Sequence, residues 1–252
     1  MIEIILVILF FVIALIYSSV GFGGGSSYLA LLGQSFFALS QSEIKSTALL
    51  CNIIVVTGGV IIFYREGKIS VKEIWPYFVA SIPMAYLGGY WKLEDHTFFL
   101  LLGVTLIVAS ILLWIQPEKY NHEKLKVRET TSAKLMMGGS IGLLSGLVSI
   151  GGGIFLSPLL HILRWSTPQK ISALASVFIL VNSISGLSGQ FQNGVPEMNW
   201  SFIIPLLFAV LAGGQIGSRL GARRFNPIYI KRITAVVILI AAVNILIKIN
   251  HG

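Results

Sequence analysis

Charge is what this sequence has least of: 11% of its 252 residues are acidic or basic, where a soluble domain carries about 25%. A chain so poor in charge cannot cover a water-facing surface, which excludes an ordinary soluble fold. Cysteine is almost missing too. The single Cys51 rules out an intramolecular disulfide and gives no metal-ligand spacing. The ten carboxylates, among them Glu43, Glu66, Glu94, Asp95, Glu129 and Glu197, fall in loops or at the ends of apolar blocks. None lies at the depth where proton or sodium relays place an acid in a membrane. There is no Walker loop, zinc motif, paired-carboxylate arrangement or nucleophile with a nearby base. The chain is therefore read as no enzyme, with no cofactor and no metal.

What the sequence has is hydrophobic length. Apolar residues make up 55% of the chain and the mean hydropathy is +0.86. Blocks of membrane-crossing length recur from end to end, for instance Val71 to Tyr90, Phe98 to Ile115 and Ile228 to Ile249. The net charge of +8 could point to nucleic acid, but the basic residues sit in short loops between those blocks. Retention of positive loops on the cytoplasmic side explains them better, so no nucleic-acid partner is expected. The tryptophans Trp75, Trp91, Trp114, Trp165 and Trp200 lie at block ends, as interfacial anchors do. The apolar N-terminus has no basic leader and no small-residue cleavage site, and reads as a retained helix.

The chain repeats itself at a shift of about 128 residues. Gly21-Phe22-Gly23-Gly24-Gly25 matches Ser149-Ile150-Gly151-Gly152-Gly153, Gly58 falls on Gly186, and Leu87-Gly88 falls on Ile216-Gly217. Each copy reads as an apolar arm, a glycine tip, a short apolar arm and three long helices. The loop charges then differ in sign of bias. Arg65, Lys68 and Lys72 follow the first long helix of copy one, whereas the counterpart from Gln192 to Asn199 has no basic residue and one acid, Glu197. The next loop reverses this: Lys92 stands with Glu94 and Asp95 in copy one, against Arg219, Arg223, Arg224, Lys231 and Arg232 in copy two. Opposite bias in equivalent loops is what inverted-topology repeats predict. The expected organisation is a first repeat over residues 1–116, a cytoplasmic linker over 117–134 and a second repeat over 135–252, each repeat with about five helical segments.

The glycine tips are the candidate site. At ~1.5 Å per residue the arm from Ile154 to Leu163 reaches only ~15 Å into a core ~30 Å thick, so the helix pair would turn inside the membrane. Copy one has longer arms, from Ile4 to Leu39, and a full crossing is open there. Broken backbone at such depth leaves N–H groups that hydrocarbon cannot satisfy, so it survives only against protein or a wet cavity. Each tip opens a helix, and free N–H groups at the positive end of the helix dipole suit an anion. Tight helix packing explains other glycines, such as Gly58-Gly59, Gly88-Gly89, Gly138-Gly139 and Gly213-Gly214. Gly138→Ala is accordingly expected to be mild. The substrate-binding candidates are Ser18, Gly23, Gly24, Gly25, Ser26, Ser27, Asn52, Ser149, Gly151, Gly152, Gly153, Ser157 and Asn182. For Asn52 and Asn182, interhelical hydrogen bonding is the equal alternative. Ser176, Ser183, Ser185 and Gln190 are further polar side chains of the same long helix as Asn182. His161 and Arg164 end the short arm and could gather anions at an entrance.

The paired glycine tips, Ser157-Pro158 after the second tip, the Gly58/Gly186 helices and the Leu87-Gly88/Ile216-Gly217 pattern resemble the sulfite exporter TauE/SafE family, also called toluene-sulfonate uptake permeases. The resemblance covers about residues 5 to 248 and implies outward transport of sulfite or organosulfonates. Copy one departs from the pattern, with Leu29-Ala30 where copy two has Ser157-Pro158. The expectation is thus an all-α integral membrane transporter of the inner (plasma) membrane, with broken helices near the midplane. Its partners would be a small anionic substrate and the lipid bilayer, with a homodimer compatible. An anion channel with the same site and no alternating access is the alternative.

Overall fold

The structure, a computed structural model, describes residues 2–34, 37, 39–68, 71–115, 130–221 and 227–251. These form ten α-helices and no strand. They are α1 (Ile2–Ser18), α2 (Gly25–Leu32), α3 (Gln41–Arg65), α4 (Val71–Tyr90), α5 (Asp95–Trp114), α6 (Thr131–Val148), α7 (Gly153–Ile162), α8 (Pro168–Phe191), α9 (Trp200–Gly221) and α10 (Pro227–His251). The order in each half is the expected one: long arm, short arm, three long helices. Residues 117–129 of the linker, and Arg223 and Arg224, lie outside the described residues. Helix α6 takes up the end of the stretch read as linker. Thr130 caps it, its Oγ accepting from the Ala133 N–H at 3.4 Å.

Local chemistry sets where the long helices begin. Ser40 and Glu43 form a reciprocal capping box at α3, and Thr167 caps α8 with Pro168 in the first turn. Among the described residues, four helices, α3, α5, α8 and α9, are long and apolar enough to cross a membrane. The 25 residues of α3 rise about 37 Å, more than the hydrocarbon core. By contrast α2, with 8 residues, and α7, with 10, rise only about 12 and 15 Å. The full crossing left open for the first tip therefore does not occur within α2. Outward-facing side chains are apolar, such as Ile4, Val79, Val104 and Phe208, while Ser46, Asn52, Ser149, Asn182 and Ser183 are completely buried. A soluble protein distributes these classes the other way round.

Backbones touch at glycine seams. A Cβ on Gly138 would strike the Tyr77 carbonyl, one on Gly142 would meet Ser81, and one on Gly146 would strike the Ala85 carbonyl. The fourfold spacing on both sides shows α4 and α6 running parallel in a small-residue seam. Gly213 against Phe11 and Gly217 against Leu15 make α1 and α9 parallel in the same way. The mild effect expected of Gly138→Ala is corrected by this geometry, because a carbonyl on the next helix cannot rotate away as a side chain can. Gly139 is the tolerant neighbour, with its nearest contact at 3.6 Å.

The other neighbours pair off as well: α5 with α10, α3 with α8, α4 with α8 and α9 with α3. The tips follow suit, α2 lying on α3 and α10, and α7 on α8 and α5. Exchanging α1–α5 for α6–α10 returns the same set of neighbours.

Candidate functional site: the two glycine tips

Both tips are sharp, left-handed turns that lead straight into uncapped helices. After α1, Gly21 takes φ +82, and the Phe22 N–H donates to the Tyr17 carbonyl at 2.9 Å, closing the helix end. Gly24, at φ +91, then starts α2. After α6, Ser149 takes φ 58, followed by Gly151 at +86 and Gly152 at +79, which starts α7. Left-handed backbone at Gly24 and Gly152 costs glycine little and an L side chain about 1–2 kcal/mol. Neither helix start has a side-chain cap, and the Gly25, Ser26, Gly153 and Ile154 N–H groups have no acceptor among the described residues. Residues 20–30 and 148–158 are all buried.

Each tip is gripped by the long helix of the other half. Ser172 and Ser176 of α8 donate to the carbonyls of Val20 and Gly21 at 2.9 and 3.1 Å. Asn52 of α3 donates from Nδ2 to the Ile150 carbonyl at 3.0 Å. A Cβ on Gly23 or on Gly25 would run into the Asn52 amide, and one on Gly151 would approach its Nδ2 to 3.1 Å. Asn52 therefore stands between the tips and touches both. Ile179 packs on Gly23, Gly151 and Gly153 from the opposite helix, and Ser183 lies beside Gly151. Asn182 is three residues on from Ile179, on the adjoining part of the same face of α8.

Several buried polar atoms around the tips have no hydrogen-bond partner among the described residues: Asn52 Oδ1, both amide atoms of Asn182, Ser183 Oγ, Ser145 Oγ and Tyr28 Oη. Native interiors leave few such atoms, since each costs about 1–3 kcal/mol. They cluster beside the free helix-end N–H groups, so unused donors and acceptors stand together at the tips. The side chains known to pack on the tips are neutral, so an anion bound here would meet dipoles and amides, not a fixed counter-charge.

The remaining sequence candidates divide. Ser27 hydrogen-bonds Tyr17 Oη at 2.6 Å and Ser26 is buried next to it. Ser149 accepts from Gln190 Nε2 at 2.8 Å. Gly24 is covered by the Tyr28 ring and Gly152 by Phe178. Ser18 bonds its own helix at Leu15 and packs on Gly217, to one side of the tips. Ser157 is paired with His161, whose Nδ1 donates to the Ser157 carbonyl at 2.7 Å. His161 is buried, so it forms no open entrance; Arg164 is exposed. Ser145, Ser172 and Ile179 were missed. A signal existed: Ser172, Ser176, Ile179 and Ser183 recur at helical spacing and form one stripe of α8.

A bundle of apolar helices around a buried polar centre made from broken helices is the architecture of a polytopic membrane transporter. The profile of the sulfite exporter TauE/SafE family matches residues 6–245. The chain is 32% identical over 245 residues to a probable membrane transporter protein of Sinorhizobium fredii, covering 96% of this chain and 97% of the relative. A probable membrane transporter protein of Methanocaldococcus jannaschii is 26% identical over 191 residues, 73% of this chain and 70% of that one. The probable membrane transporter protein MamO of Magnetospirillum gryphiswaldense is 23% identical over 241 residues, 80% of this chain but 37% of MamO. No solved structure matches. The chain belongs to the sulfite exporter TauE/SafE family and is a membrane transporter.

Proposed function

We propose that this transporter is a carrier that moves a small sulfur-containing anion, sulfite or an organosulfonate, outward across the plasma membrane. The carrying observation is the convergence of two uncapped helix starts on Asn52, with orphaned polar atoms around them. The site offers N–H donors and Asn182 Nδ2, and also unpartnered amide acceptors, Asn52 Oδ1 and Asn182 Oδ1. A partly protonated anion such as hydrogen sulfite, or a sulfonate carrying an ammonium, would use both kinds of group. Because Asn52 and Ile179 each touch both tips, one substrate could be held jointly by the two halves.

Two inverted repeats, α1–α5 and α6–α10, supply the switching device in this reading. It is supported by helix direction. Val55 meets Gly214 and Gly59 meets Ser218, so α3 runs with α9. Ser185 donates to the Ile82 carbonyl at 2.6 Å and Gly189 meets Tyr86, so α8 runs with α4. Ser46 at the start of α3 bonds Gln190 at the end of α8, and a Cβ on Gly59 near the end of α3 would lie 3.7 Å from Ser176 near the start of α8, so these equivalent helices of the two halves point in opposite directions. Rocking one half against the other about the tips would expose the site alternately. Impermeant maleimide should then label Asn193→Cys on intact cells in a Cys51→Ala background. An unlabelled position 193 that reacts after lysis would reverse the assigned sides.

Transport is tested with purified protein in liposomes loaded with sulfite. Export should show saturable counterflow and should follow a valinomycin-set potential without a proton or sodium gradient. One elementary charge gains about 2.3 kcal/mol per 100 mV, enough for a roughly 50-fold gradient of a monovalent anion. Flux that ignores the potential but follows pH would mean that a proton travels with the substrate. Conductance without saturation or counterflow would replace the carrier by a channel.

A further inference from the structure

A second polar feature lies away from the tips. A cavity of about 260 Å³ opens between the start of α3, the α4–α5 connection and the end of α8 with its following loop. At ~30 Å³ per water it holds roughly nine waters, room for a small oxyanion with part of its hydration shell. Its lining carries two cations, Lys45 and Lys92, and no carboxylate. Lys92 is exposed, but Lys45 is only 4% exposed. The Lys45 ammonium lies 5.1 Å from the centre of the Phe98 ring and has neither a hydrogen bond nor an ion pair among the described residues. Buried lysines are ordinarily paired, so this one calls for an anion.

Its position is also unexplained by topology. Lys45 sits at the end of α3 opposite Arg65, on the face of the molecule that carries Asn193 and Gly194. Charge retention on the cytoplasmic side accounts for Arg65 and not for a lysine at the far end of the same helix. The cavity is in addition wired to the second tip. Ser46, next to Lys45 on its wall, donates to Gln190 Oε1 at 3.0 Å, and Gln190 Nε2 donates to Ser149 Oγ at 2.8 Å. Ser149 immediately precedes Ile150, whose carbonyl is held by Asn52.

We propose that this cavity is a second anion-binding site, a vestibule in which the Lys45 ammonium holds a small oxyanion one step away from the glycine tips. The proposal rests on the anion-transport reading for the identity of its natural occupant, though not for its attraction of anions. Lys45 supplies the net charge that the tips lack, and Lys92 extends the field to the mouth. The Ser46–Gln190–Ser149 hydrogen bonds are the polar route from vestibule to tip. A single lysine concentrates anions without a bidentate clamp, so an oxyanion is held as a point charge and released readily.

Trp91 lines the same cavity and reports on it. In a full-length variant retaining Trp91 as its sole tryptophan, iodide should quench fluorescence at low ionic strength at least threefold more strongly than in the same protein with Lys45→Gln. Neutral acrylamide should quench both alike, and Lys45→Arg should restore the iodide effect. Millimolar sulfite should protect Trp91 from iodide when Lys45 is present. Lys92→Glu, at an exposed position, gives an independent partial loss should Lys45→Gln fold poorly. In liposomes, Lys45→Gln should raise the half-saturating sulfite concentration about tenfold on the Asn193 face and leave the opposite face unchanged. Iodide quenching that is insensitive to both Lys45 and Lys92 overturns the vestibule, whatever the flux. Charge-dependent iodide quenching in a protein that moves no sulfite keeps the vestibule and removes the transport reading.

Discussion

Asn52→Leu should lower sulfite flux by at least about 100-fold while the protein still inserts and purifies. Leucine keeps the branched four-atom skeleton of asparagine but replaces both amide ends with methyl groups. The Nδ2 donor to the Ile150 carbonyl is lost, and so is the unpartnered Oδ1 between Gly23 and Gly25. Hydrogen bonds to charged groups contribute about 1.5–3 kcal/mol, and about 2.7 kcal/mol corresponds to a factor of 100. The stranded Ile150 carbonyl should also lower the melting temperature, which separates the two roles of this residue. Asn182→Leu gives the sharper comparison, because neither amide atom of Asn182 has a hydrogen-bond partner among the described residues. It should impair flux with little change in stability. Native flux in Asn52→Leu with a lowered melting temperature would make Asn52 a structural strut and move the binding site elsewhere.

Gly24→Val and Gly152→Val should each abolish transport, with Gly139→Ala close to native. Both tip residues have left-handed backbone, at φ +91 and +79, which a β-branched side chain tolerates poorly. The space beside them is also taken. A Cβ on Gly24 would come within 2.8 Å of the Tyr28 hydroxyl, and one on Gly152 within 2.8 Å of the Phe178 ring. Occupation of the space an anion would take is thus only part of the reason. The turn itself would change, and with it the direction of the free N–H groups of α2 and α7. Backbone strain of about 1–2 kcal/mol and overpacking of about 1–3 kcal/mol per site stay below the stability of a typical fold, so monodisperse protein should still be recovered. Normal flux in both valine variants would show that the tips do not bind the substrate.

Much of the site could be read from residue order. The duplicated glycine runs, the short arms after them and the polar residues of the two long helices are all visible in a single chain, because backbone freedom and helix length are local properties. So were the five segments per half, since an apolar block of known length has few alternatives in a bilayer. What the sequence by itself determined was the kind of protein: too little charge for a soluble surface, no acid at depth, and two glycine tips opening two helices. The tertiary structure alone decided which atoms meet. Asn52 could not be chosen over Asn182 as the residue between the tips, because the carbonyl it holds, that of Ile150, lies 98 residues away in the tip of the other half. Gly138 read as a packing glycine that would accept alanine, since nothing in its neighbours announces the Tyr77 carbonyl across the α4–α6 seam. Lys45 read as one more loop cation until burial at the edge of a cavity set it apart. Distances across helices depend on how ten elements pack together, and side-chain order along one helix carries no record of that.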